Sequence, residues 1–552
     1  MTIYQVLPRL FGNDCSRCVP HGTREENGCG TLADFSPRAL DEIRSMGATH
    51  VWFTGLIEHA TQTDYSAWGI TPDCPDVVKG KAGSPYAIKD YYDIDPDLAT
   101  SVPQRMREFE CLIRRTHEAG LGFIIDFVPN HVARQYHSDA CPKGTEDLGE
   151  RDDRTQAFSP RNNFYYLPGQ DLHLDNITGG GSRYSESPAR VTGNDCFSAW
   201  PGGNDWYETV KLNYGIDYQA GCQKHFTPRP DTWGKMLGIL LFWASKGVDG
   251  FRCDMAEMVP VEFWQWAIAE VKGLYPDMLF IAEVYNPALY RDYVHRGGFD
   301  YLYDKVGLYD SLRSVVRHEA SAQCLTGCWQ GIDDIRTHML HFLENHDEQR
   351  LASDFFAGDA RRGRAPLLVS AMMDASPMMI YFGQELGERG MDAEGYSGRD
   401  GRTTIYDYWS VDTVRRWRDG GRFGTALLTG DEQRLRAFYA RVLALRETLP
   451  VLRAGRFYDL MYANGHLHGQ YAFVRSLEHE VLLVIANFDD QEAHVTLNLP
   501  QELFQFLGVS GQTDMRACDL LSGEMTQVDF TPTAPLRALV RRWNGIALSI
   551  QF

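Results

Sequence analysis

The 552-residue chain is 43% hydrophobic and 12% aromatic, enough to bury a large core, and its length suits one large barrel with attachments or about three domains. A formal net charge of -20 excludes phosphate backbones and anionic lipid as natural partners, because the summed field repels both, and favours neutral ligands. The first ten residues, MTIYQVLPRL, lack a basic segment followed by an apolar run, and apolar stretches such as Ile239 to Ala244 and Met378 to Phe382 are too short to span a bilayer, so a cytoplasmic protein is expected.

In chain order, Ile3 to Leu7 reads as a first strand. The cysteines that follow, Cys15, Cys18 and Cys29, could surround zinc with His21, but the spacing matches no zinc module. The twelve cysteines are scattered without a framework, as expected of reduced thiols. Ser36-Pro37 opens a helix that Gly47 ends, and Thr49 to Phe53 follows as a strand. Ser101 to Ala119 repeats the scheme, with Gly120 before Phe123 to Phe127. Asp231 to Lys246 repeats it again, with Gly247 before Gly250 to Cys253, and Pro260 to Leu274 precedes Leu279 to Ala282. Further strands are expected near Tyr301, at His338 to Leu343 and at Met378 to Tyr381. Eight apolar strands alternating with helices predict a closed parallel α/β barrel, (β/α)8.

From about His131 to Pro230 the chain is rich in Gly, Asn, Asp and Ser, too long for a strand-to-helix loop, and is expected to form a subdomain inserted after the third strand. Beyond a helix at Glu432 to Thr448, GQYAFVRS (469–476) and EVLLVIANF (480–488) alternate between turn residues as in an antiparallel β-sandwich. The expected division is a barrel at 1–130 and 214–450, an inserted subdomain at 131–213 and a sandwich at 451–552.

Strand C-termini converge on one face of such a barrel, so they bring together Asp126, Asn130 and His131, then Arg252 and Asp254, then Glu283, then Glu344, Asn345, His346 and Asp347. Glycosidic bond cleavage needs such a set. One carboxylic acid protonates the leaving oxygen while a carboxylate attacks the anomeric carbon from ~5–5.5 Å away in retaining enzymes. Arg252, two residues from Asp254 and so on the same side of the strand, is expected to keep Asp254 ionised as nucleophile. Glu283, after the apolar LFIA, suits the general acid. Asp347 would bind sugar hydroxyls, with His131 and His346 adding donors. Any one of these residues alone would pass for a helix cap or a satisfied histidine, and Asp126 reads as a structural brace.

Four segments, DFVPNH (126–131), GFRCD (250–254), IAEVY with Glu283, and ENHD (344–347), resemble the ordered signatures of the alpha-amylase family. VKLN (210–213), SPMMIYFGQE (376–385) and SPYAIKDYYDIDP (84–96) are similar to its supporting motifs, and the resemblance runs from Tyr4 to about Leu449. It implies that Asp254 is the nucleophile, Glu283 the acid/base and Asp347 the transition-state stabiliser. It places Tyr86, His131, Arg252 and His346 around the attacked glucose. The implied activity is hydrolysis of α-1,4 bonds in malto-oligosaccharides or related α-glucans. A transglycosylase with the same intermediate, or an inactive sugar-binding barrel, are the competing readings.

Two departures bear on cofactor and specificity. Glu257 and Met258 replace the Lys-His that in many members meets substrate and calcium, so no cofactor is expected, although acidic residues of the insertion leave calcium possible. Gly83 replaces the aspartate of exo-acting relatives, which predicts an open cleft favouring maltotriose and longer chains over aryl α-glucosides. Trp200 and Trp206 either stack on sugar rings or belong to the core of the insertion.

Overall fold

The computed structural model describes residues 1–552. Eight strands close a barrel: β1 (Thr2–Val6), β2 (His50–Phe53), β3 (Gly122–Phe127), β4 (Gly250–Cys253), β5 (Leu279–Ala282), β6 (Tyr301–Tyr303), β7 (Met339–Phe342) and β8 (Met378–Tyr381). Each pairs in parallel with its chain neighbour, and β8 closes on β1. The fold is the expected (β/α)8 barrel. The strand expected near Tyr301 is only three residues long, because a π-helical turn at Lys305–Tyr309 follows it at once and leads into the helix Asp310–Val316.

The helices form where capping and punctuation dictate. Ser36 accepts a hydrogen bond from the Ala39 N–H, Pro37 occupies the first turn, and the helix Pro37–Ser45 ends before Gly47, whose φ of 97° disfavours a side chain. Arg105–Glu118, Asp231–Ser245 and Val261–Leu274 cover the next strands with buried faces that include Phe109, Trp243 and Trp264. All three aromatic side chains are fully withdrawn from solvent. At ~25 cal/mol per Å2 of apolar surface, such rings dominate the hydrophobic contribution of the helix layer.

Between β3 and the helix Asp231–Ser245 the chain builds three small antiparallel pairs: His131–Ala133 with Thr209–Lys211, Tyr166–Leu167 with Ala189–Arg190, and Ile216–Asp217 with Gln223–Lys224. Tyr165, Leu172, Val191 and Tyr207 give this segment a core separate from that of the barrel. Trp200 and Trp206 lie outside that core, which corrects their reading as buried packing. Trp200 is 54% exposed and stacks on His173 at 3.7 Å, and Trp206 is half-buried beside the His131 ring at 5.2 Å. After the helix Gly430–Thr448, capped reciprocally by Thr429 and Glu432, the chain forms a six-stranded antiparallel sheet and a separate pair, Ala493–Leu497 with Leu536–Val540. No helix is long and apolar enough to cross a membrane.

All twelve cysteines are free. The sulfurs of Cys15, Cys18 and Cys29 rest against different backbone carbonyls, those of Glu26, Ser410 and Gly30, rather than around a common centre with His21.

Candidate active site

Register builds the centre of the site. Cys253 of β4 lies opposite Ala282 of β5, so the next residues, Asp254 and Glu283, emerge side by side, and the Glu283 N–H donates to the Cys253 carbonyl at 3.1 Å. Neighbouring strands are ~4.8 Å apart, which sets the scale of separation between these two carboxyls. One residue lower, Arg252 lies opposite Asp126 of β3.

Arg252 is fully buried and clamps both acids. One terminal nitrogen is 2.8 Å from Asp254 Oδ1 and the other 2.8 Å from Glu283 Oε2. Its Nε donates to the Tyr303 hydroxyl at 3.1 Å, and its guanidinium lies over the rings of Trp52, Tyr86 and Tyr303. That box fixes the fork in one orientation. Asp126 is the expected brace: it accepts from the Trp52 indole at 3.1 Å and sits 3.4 Å from Arg252.

The electrostatics differ from expectation in one respect. Arg252 does favour the ionised form of Asp254, but burial, reinforced by Glu283, Asp347 and Asp126, wins and pushes the Asp254 carboxyl well above the ordinary range. Asp347 shows the opposite balance. Its side chain is 43% exposed into the pocket, so desolvation opposes ionisation only weakly, and the adjacent His346, at 3.0 Å, and Arg252 hold it down to about 2. His131 is pushed down to about 3, by burial and by the Lys211 ammonium, so its imidazole is neutral at working pH.

The remaining expected residues fall into two groups. Tyr86, His131, Asp254, Glu283 and Asp347 line one pocket of about 240 Å3, and His346 stands behind it, stacked on Tyr86 with ring centres 5.0 Å apart and 2.5 Å from its hydroxyl. Gln5 of β1 fixes the other nitrogen of His346 at 2.8 Å. Glu344, Asn345 and Asn130 are not in the pocket. Glu344 turns to Arg350 at 2.9 Å, Asn345 accepts from the N–H groups of Asp347 and Glu348, and Asn130 donates to the Gly193 carbonyl.

Sequence reasoning missed Tyr285, whose hydroxyl donates to Glu283 Oε1 at 2.5 Å. Its spacing, two residues beyond Glu283 in an extended segment, was the available signal. Glu257 holds Tyr285 in place by accepting its N–H and that of Asn286. Met255, in the left-handed region at φ 43°, donates its N–H to Glu283 Oε2 at 2.8 Å. Lys79, Ser84, Trp206, Glu208, Thr209, Ile405 and Tyr406 complete the lining.

Two places bear on metal binding. At the first, beside Asn130, the buried Lys211 ammonium sits 2.9 Å from Asn130 Oδ1 and 2.5 Å from Asp195 Oδ1. A fixed cation on those oxygens repels a divalent ion, and the Met258 thioether is a poor calcium ligand, so these residues do not fit calcium. At the second, Glu58, Asp90 and Asp93 form a buried acidic group. Asp90 already accepts from Ser138, Tyr92 and Ala140, and Asp93 pairs with Arg105. Burial, then the neighbouring Asp90, pushes the Glu58 carboxyl up to about 9, and neither of its oxygens has a hydrogen-bond partner. The Lys211 arrangement predicts that dialysis against EDTA leaves activity and melting temperature unchanged, because no metal linkage to folding is lost. A fall in either, reversed only by calcium, would contradict this.

Acids clamped on adjacent strand ends at the C-terminal face of a (β/α)8 barrel define a glycoside hydrolase. The chain belongs to the alpha-amylase family, since the family profile "Alpha amylase, catalytic domain" matches residues 5–420. It is 23% identical over 435 residues to Alpha-amylase 3 of Dictyoglomus thermophilum, covering 75% of this chain and 76% of the relative. It is 22% identical over 575 aligned residues to Neopullulanase 2 of Thermoactinomyces vulgaris, covering 98% and 77%. The fold superposes on the crystal structure of a noncanonic maltogenic alpha-amylase from Thermotoga neapolitana with a TM-score of 0.64 at 18% identity, over 100% of this chain and 99% of the other.

Proposed function

We propose that the protein hydrolyses α-1,4-glucosidic bonds of malto-oligosaccharides or related α-glucans with retention of configuration. The observation that carries this reading is the single guanidinium bridging Asp254 and Glu283 at neighbouring strand ends. Carboxyls this close leave no space for water behind the sugar, so the carboxylate itself must attack.

Asp254 attacks the anomeric carbon and becomes the covalent ester, while Glu283 donates its proton to the leaving oxygen and then takes one from the incoming water. Glu283 Oε2 receives the Met255 N–H and lies 2.8 Å from an Arg252 terminal nitrogen as an ion pair. Its Oε1 accepts from the Tyr285 hydroxyl, so both oxygens of the acid/base are held in place. Asp347, ionised throughout, and neutral His131 bind sugar hydroxyls as positive charge develops on the ring. Tyr86 supplies the flat face against which the attacked sugar packs. The names of the relatives, alpha-amylase and neopullulanase, support an α-glucan substrate.

Proton NMR of the first minutes of maltotriose cleavage tests this. The α-anomer is expected to appear first, with the β-anomer growing in by mutarotation; β first would overturn the retaining assignment.

A further inference from the structure

Lys79 and Glu208 line the pocket yet have no part in bond breaking. They are 7% and 4% exposed and pair at 3.0 Å. Glu208 is the sole polar partner of the Lys79 ammonium, whose remaining contact is the Tyr207 ring at 5.3 Å, so two of its three N–H donors are unused. A buried ion pair with spare valence carries an unrecovered desolvation cost unless a ligand completes it.

Position says which ligand part does so. Lys79, Ser84 and Tyr86 belong to one loop, and Glu208 directly precedes the Thr209–Lys211 strand that pairs with His131–Ala133. The pair therefore lines the pocket from the same segments that carry Tyr86 and adjoin His131. Beside it the backbone is close-packed. The Ala82 N–H donates to the Tyr406 carbonyl at 3.1 Å, and a Cβ on Gly80 would lie 2.1 Å from that same oxygen. Gly83, at φ 81°, admits no side chain, since its Cβ would meet the Ala60 carbonyl at 1.7 Å.

We infer that Lys79 and Glu208 bind the free hydroxyls of the non-reducing terminal glucose and form the closed end of its pocket, so that the enzyme removes single units from chain ends. This rests on the catalytic reading above. The carboxylate accepts from a terminal hydroxyl while the ammonium donates to a neighbouring oxygen. In an internal sugar the 4-oxygen is glycosidic, has no proton to give, and leads into the wall. The chain-length preference expected from Gly83 alone is therefore reversed: maltose and aryl α-glucosides are good substrates.

The test compares 4-nitrophenyl α-maltoheptaoside with its form capped by a 4,6-ethylidene group at the non-reducing end. The wild-type protein is expected to release glucose alone from the first and to cut the second at least ~100-fold less efficiently. Comparable cleavage of the capped substrate overturns the inference. Glu208→Gln and Lys79→Met should each raise KM for maltose ~10–100-fold, the loss of a hydrogen bond to a charged group, and lower the ratio of kcat/KM for maltose to that for maltoheptaose. An unchanged ratio in a folded variant also overturns it. Failure of the wild-type protein to cleave any α-glucoside would instead sink the catalytic reading.

Discussion

Asp254→Asn and Glu283→Gln are each expected to lower kcat on the best natural substrate by about 10^4-fold, near the upper range for losing a proton donor and more for losing a nucleophile. The two losses differ in kind. The carboxamide of Asp254→Asn cannot form the ester, so no leaving group rescues that variant. The carboxamide of Glu283→Gln cannot protonate, so an α-glucosyl fluoride, whose leaving group needs little protonation, should recover much of the first step, while added azide should recover the second. Both replacement side chains are nearly isosteric with the originals, so melting temperatures near wild type would show that chemistry, not folding, was lost. Near-normal turnover in either variant would remove that residue from its role.

Arg252→Lys is expected to lower kcat at least ~100-fold and to destabilise the fold by about 3–5 kcal/mol, the cost of leaving buried carboxylates without a partner. An ammonium puts all its donors on one atom, so it cannot occupy both of the separated points from which the two terminal nitrogens of Arg252 meet Asp254 and Glu283. The pH profile gives an independent reading. Because Asp254 must be ionised to attack and its carboxyl is held above the ordinary range, the acidic limb of kcat/KM should lie above the usual aspartate value. Weakening the one cation that opposes that shift should move the limb to still higher pH. A limb unmoved in Arg252→Lys, with kcat intact, would show that the clamp does not govern the nucleophile.

The barrel was legible because its strands are continuous apolar runs bounded by helix caps and glycines, signals that act over a few residues. Ser36-Pro37 and Gly47 bracket a helix where expected, and Met378–Tyr381 is a strand to the residue. The ends of β6 were blurred because a π-turn begins two residues after it, and a three-residue strand leaves little periodicity to read. Asp254, Glu283, Asp347 and His131 were found because barrel topology gathers strand ends, Tyr86 only through the resemblance of its motif, and the pocket contains all five. The upward pull on the Asp254 carboxyl was not legible because sequence adjacency shows Arg252 but not the carboxylates that depth and neighbouring strands add.

Local residue order by itself determined the architecture, the set of polar residues at its open face, and the membership of Asp254 and Glu283 in that set. All three depend on propensity and alternation within single segments. What only the tertiary structure decided is how the pocket is closed and charged. Glu208 meets Lys79 from 129 positions away, and Lys211 comes to Asn130 from 81, through an insertion whose own strands are two or three residues long. Pairings so distant have no local signature. They form because the folded barrel already holds one partner in place, and burial then makes an unpaired charge too costly to leave alone.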